Sequence, residues 1–424
     1  MDPSGTNWLS TLRKNMHQTL DAQFFIVKKL IHKYPDSQTF FHFYIHSSGL
    51  FYGYATHHIL SNFQSQKTWT NADHYKIALT EGLFAAYLYI HKERLQSPQD
   101  ISILLKEAHK KIYDFYIVYT IEDGYFTRNT FFAGLRKKDS TATLEQIINK
   151  RIKNPTMLQK GFWKGSQFNI FSYLDILYFA FWLDGNYLYD KRTEIKKTLL
   201  TSMITCTRYS SSKIEQHCIQ YFITSGDLDK QSKSEVDYCL SHPPSLEDVC
   251  TKIAYPAVIN RLIVEHIIIV LLSSHINEHK KNSLLQKVCT LCNISQDELQ
   301  YSNLLIENFI SHNNNHLLYI KYQFKFNLIA QNFSSRFYSF FIKNKSKIIH
   351  ELSQNKELME LLWKAKNEKL SNEEREKVKS QIIDILKTIP SLTIFMIPGG
   401  SVILPLLLKI LPEEILIPRS FRNN

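Results

Sequence analysis

The stretch FNIFSYLDILYFAFWL, Phe168 to Leu183, decides how the rest of the chain is read. It is almost wholly apolar, yet Asp175 stands near its middle. A membrane-crossing helix needs about 20 apolar residues, and a carboxylate at bilayer depth costs about 2.5–3.5 kcal/mol on the insertion scale. The stretch is short for a span and carries the wrong residue for one, so it reads as a buried core helix. AVINRLIVEHIIIVLL, Ala257 to Leu272, meets the same objection through Arg261, Glu265 and His266.

Around these runs the composition is that of a globular protein, with 44% apolar and 21% charged residues. Only 12 Gly and 12 Pro occur in 424 residues, too few for a turn-rich β architecture, and the expected fold class is all-α. SPQDISILLKEAHKKIYDF gives a helix start, because Ser97 can cap, Pro98 suits the first turn, and Ile101, Leu104, Leu105, Ala108 and Ile112 share one face. Ser295 with Glu298 and Ser371 with Glu374 have capping-box spacing. One place reads as strand: YIVYTIEDGYFTR, where Asp123-Gly124 suits a hairpin turn. The polar stretch TSGDLDKQSKSEVDYCLSHPPS reads as a linker. The expected organisation is an N-terminal helical region over 1–223, a linker over 224–245, a helical module over 246–345 and a C-terminal motif over 355–424.

Fifty-one basic against 39 acidic residues leave a net charge of +12, which favours a phosphate-rich partner. Arg136, Lys137, Lys138, Lys150, Arg151 and Lys153 form a candidate patch for such an anionic partner. The six cysteines are too sparse for the framework of a small secreted domain and read as reduced thiols. The opening residues lack the apolar run of a secretory signal, so the expected location is the cytoplasm or the membrane face bordering it.

Sites of chemistry are few. His42 and His46 are spaced to meet on one helical face, with His57 and His58 nearby, but no carboxylate lies in that stretch, and they read as partly buried histidines. Cys289 and Cys292 fit a helical core face with Leu284, Leu285 and Val288. No phosphate loop, nucleophile elbow or kinase signature occurs. The expectation is a non-enzyme with no cofactor, no metal, no small-molecule substrate and no specific DNA target. A metal-dependent enzyme built on the N-terminal histidines is the weaker alternative.

Near the end of the chain, LSNEEREKVKSQIIDILKTIPSLTIFMIPGGSVILPLLLKILPEEILIPRSF carries no charge from Thr388 through Leu408. Proline inside a helix costs about 3 kcal/mol, so Pro390, Pro398 and Pro405 cannot share one regular helix. They read instead as starts of short apolar pieces joined at Pro398-Gly399-Gly400. This tail resembles the LETM-like family, named after a leucine-zipper and EF-hand-containing transmembrane protein of mitochondria. The matching positions are Leu370, Glu374, Arg375, Asp384, Pro390, Phe395, Pro398, Leu404, Pro405, Leu408, Lys409, Pro412, Pro418, Ser420 and Phe421, together with Gly399 and Gly400. The resemblance implies a helical, non-enzymatic protein linked to cation homeostasis and ribosome binding. It also implies a bacterial chain of the biofilm-associated type, peripheral to or partly inserted in the inner membrane; the alternative reading is cation/proton transport by a membrane-inserted oligomer of this C-terminal segment. Where the mitochondrial members have a Glu, three residues after the second motif proline, this chain has Ser401, which removes the carboxylate that proton-coupled transport would use. Before the tail, Ser273 to Ile310 resembles a TerB-like helical module. Ser274-His275, Lys280 and Lys281 stand where acidic groups would be, so only a packing role carries over.

Overall fold

The computed structural model describes residues 2–22, 24–55, 57–61, 69–122, 140–152, 169–209, 212–250, 255–274, 276–317, 319, 326–375, 377–378 and 381–382. The fold is all-α, and every element among the described residues is helical. The chain divides into two compact units, residues 1–294 with 315–322, and residues 295–314 with 323–424.

The first unit contains α1 (Trp8–Ala22), α2 (Phe24–Lys33), α3 (Ser37–Ser47), α4 (Asn71–Ile90), α5 (Pro98–Glu122), α6 (Ser140–Ile152) and α7 (Leu174–Leu183). It continues through α8 (Arg192–Thr205), α9 (Lys213–Ser225), α10 (Lys230–Ser241), α11 (Leu246–Cys250), α12 (Ala257–Ser273) and α13 (Glu278–Cys292). Two helices organise it. α4 starts at a capping box between Thr70 and Asp73, is buried on nearly every side, and packs against α3, α5, α6 and α7. α12 is also covered all round, by α3, α8, α9 and α13. α7 and α12 are therefore core helices, and no helix among the described residues is long and apolar enough to cross a membrane.

Gly82 shows how closely α4 and α7 approach. A Cβ there would lie 2.3 Å from Ile176 Cδ1 and 2.9 Å from Tyr44 Cε1, well inside van der Waals contact. The carboxylate of α7 is paired as burial demands. Asp175, 0% exposed, accepts Arg151 Nε at 2.9 Å and Nη2 at 2.6 Å, and the Tyr116 hydroxyl at 3.0 Å.

The second unit contains α14 (Gln296–Asn313), α15 (Phe326–Lys343), α16 (Lys345–Ser353) and α17 (Lys356–Asn367), which pack in chain order. The Ser295–Glu298 capping box starts α14. Inside this unit Arg336 bonds the buried Glu307 at 2.7 Å.

Three expectations change. Residues 116–122 of the expected hairpin are the last turns of α5, while Asp123-Gly124 lies outside the described residues. Tyr116 and Tyr119 pack there on Phe115 and Tyr189, and that burial outweighs the strand preference of aromatic residues. The expected linker over 224–245 holds α10, started by Asp229, whose side chain accepts from Ser232 N at 2.8 Å, and anchored by the buried Val236. The division between units falls at Ile294 and Ser295, inside the expected 246–345 module, rather than in the polar stretch.

Candidate functional site

Helix α3 begins at Asp36, whose carboxylate accepts the Thr39 amide at 2.8 Å. From that start the helical repeat puts His42 and His46 one turn apart on the same face, with ring centroids 4.5 Å apart. That face meets α12 at Glu265. His42 Nε2 lies 2.7 Å from Glu265 Oε1, and His46 Nε2 lies 2.9 Å from Glu265 Oε2. The three residues are buried and their ligand atoms all lie within 4.8 Å of one another.

A short 3-10 turn, Leu50–Tyr52, follows α3 and folds back on it. Gly49 at φ 84° and Gly53 at φ 67° bracket this turn in the left-handed region, where a side chain would be strained. The turn aims the Tyr52 hydroxyl at His46 Nδ1, 2.9 Å away, so both nitrogens of that imidazole are held. Phe51 lies against His46 and His266, whose ring centroids are 4.5 and 4.8 Å from its own.

The electrostatics follow from dryness. Burial drives His42 down to about 3, with Arg261 and His46 adding to the effect against the pull of Glu265, so its imidazole is neutral at ordinary pH. Burial alone would raise Glu265, but His42 and His46 and their hydrogen bonds outweigh it and hold the carboxyl well below the usual range. Arg261 Nε, one turn back on α12, lies 3.4 Å from Glu265 Oε1. The result is a carboxylate, a guanidinium and two imidazoles in one water-poor place, an arrangement that can share protons or hold a cation.

Beside it a cleft of about 220 Å³ is lined by Tyr52, Tyr54, Asn71, Tyr221, His316 and Tyr319. Tyr54 and His316 stack at 4.6 Å with ring planes 4° apart. Tyr52 belongs to both features, lining the cleft and reaching His46 with its hydroxyl.

The structure thus joins the His42–His46 pair to a carboxylate that lies 223 residues from His42 in the chain. The signal in the sequence was Glu265 itself, a lone carboxylate in an apolar helix that had to find a partner. His57 and His58 do not join the centre; His58 Nε2 instead lies 2.9 Å from His74 Nδ1. Cys289 and Cys292 are buried free thiols, and the Cys292 thiol hydrogen-bonds to that of Cys250.

Of the candidate anionic patch, Lys150 is exposed, while Arg151 is turned inward onto Asp175 and cannot serve an external partner. Arg136, Lys137, Lys138 and Lys153 lie outside the described residues, as do Asp384, Pro390, Phe395, Pro398, Gly399, Gly400, Leu404, Pro405, Lys409, Pro412, Pro418 and Phe421. The entry to the tail is described. Ser371 and Glu374 form the expected reciprocal cap, with Glu374 N on Ser371 Oγ at 3.1 Å and Ser371 N on Glu374 Oε2 at 2.9 Å. Lys364 of α17 bonds Glu374 at 2.7 Å, Lys377 bonds Glu357, and Leu370, Val378 and Ile382 are buried. Comparison of the chain with protein-family models, with curated proteins and with solved structures finds no match.

Proposed function

We propose that the chain is a non-enzymatic, LETM-like binding protein that works against an anionic surface at the cytoplasmic face of a membrane. Its partner is that membrane or the ribosomes that meet it, and its cellular role is in cation homeostasis. The observation that carries this reading is the attachment of the tail. Its leading segment is capped, ion-paired to α17 and packed through Val378 and Ile382, and in the sequence the uncharged run from Thr388 through Leu408 begins six residues after Ile382. Lys387 and Lys409 flank that run, and the net charge of +12 adds a general attraction to anionic lipid or RNA.

Cell fractionation tests the proposal. The full chain is expected to pellet with membranes or ribosomes in low salt and to be released by high salt, whereas a chain lacking residues 387–421 stays in the supernatant. Pelleting of both chains alike would contradict a role for the tail. Retention of the full chain through high salt and alkaline washing would point to insertion and hence to the transport alternative.

A further inference from the structure

We propose that His42, His46 and Glu265 form a binding site for a divalent transition-metal ion of the zinc class, with Tyr52 as the positioning residue that orients His46. The site is independent of the reading of the tail. Two imidazole nitrogens and one carboxylate oxygen converge from two helices, and this donor set suits zinc-like ions rather than calcium or magnesium, which prefer shells of oxygen. Three protein donors leave a fourth position for water.

The distances state what binding requires. Bonds of about 2.0–2.1 Å at tetrahedral angles place neighbouring donors about 3.3 Å apart. At present each ring meets a different oxygen of the carboxylate, His42 Nε2 at 2.7 Å from Oε1 and His46 Nε2 at 2.9 Å from Oε2, so the carboxylate turns one oxygen toward the ion and the donors open by several tenths of an ångström as it enters. Without the ion, each Nε2–H donates to one oxygen of Glu265. With it, each Nε2 presents its lone pair to the metal and the ring keeps a proton at Nδ1. On His46 the Nδ1–H donates to Tyr52 Oη, the outer contact that metal-bound histidines normally make.

Arg261 opposes the ion. Its guanidinium stands 3.4 Å from the carboxylate and repels a second cation there, which weakens the site without removing a donor.

The test uses the purified full chain, stripped with a chelator and titrated with Zn²⁺, and separately with Co²⁺ while its visible absorption is followed. We expect a single saturating equivalent with the bands of a low-coordinate cobalt site. His46→Gln and Glu265→Gln should each abolish uptake, Tyr52→Phe should weaken it about 10–100-fold, and Arg261→Gln should strengthen it. A stripped chain that takes up neither ion overturns the proposal, as does stoichiometric uptake that survives His46→Gln or Glu265→Gln. If those two variants fail to fold, Tyr52→Phe and Arg261→Gln decide: circular dichroism checks their fold, and affinities equal to that of the unaltered chain overturn the assignment.

Discussion

Asp175 shows what a single residue reveals and what it withholds. Its presence in an apolar run correctly excludes a span, because an unpaired carboxylate is costly in hydrocarbon and a core can supply a partner. The partner was hidden, since Arg151 sits in a stretch whose basic composition suggests a surface, and only the packed helices turn it inward onto Asp175. Arg151→Ala strands that carboxylate and is expected to cost about 3–5 kcal/mol in urea unfolding; a loss below about 1 kcal/mol would mean that the pair is not buried as described. Glu81 makes the complementary case. It accepts the Leu60 and Ser61 amides and the Ser61 hydroxyl, yet its burial pushes the carboxyl up to about 7. The folded state then binds a proton that the unfolded chain releases near 4.5, so the Glu81 contribution to stability declines as pH rises from about 4.5 to 7. Glu81→Gln should remove that part of the pH slope. The slope is the readout, because an amide NH₂ set against these donors lowers stability at every pH. An unchanged slope would contradict the shift.

Helix starts were legible because their signals are local. Ser97 with Pro98, Ser295 with Glu298 and Ser371 with Glu374 all mark the starts they were expected to mark. Elements whose identity depends on distant packing were not. The 116–122 run has strand-like residues but ends α5, and the polar 230–241 stretch is a helix through one cap and one buried valine. The close approach of α4 and α7 leads to a prediction for this scale. Gly82→Ala should cost about 1–3 kcal/mol through overpacking against Ile176, and Ile176→Val in the same chain, which removes the Cδ1 atom, should recover part of the loss. Additive losses in the double variant, measured by thermal unfolding, would show that the contact is not the cause.

For the molecule as a whole, composition was enough for the all-α class, since few Gly and Pro leave little room for turns. It was not enough for the boundaries, which depend on which helices bury one another. The histidine pair was visible, but Glu265 joins it only through the pairing of α3 with α12, a contact no local pattern records. The central functional claim concerns the tail carried by the second unit, and co-sedimentation of the purified chain with lipid vesicles tests it most directly. The full chain is expected to sediment with vesicles rich in anionic lipid or with ribosomes at low salt and to be released by salt, and removal of residues 387–421 is expected to abolish the effect. A full chain that stays in solution with anionic vesicles and ribosomes alike, at every salt concentration, would contradict that claim.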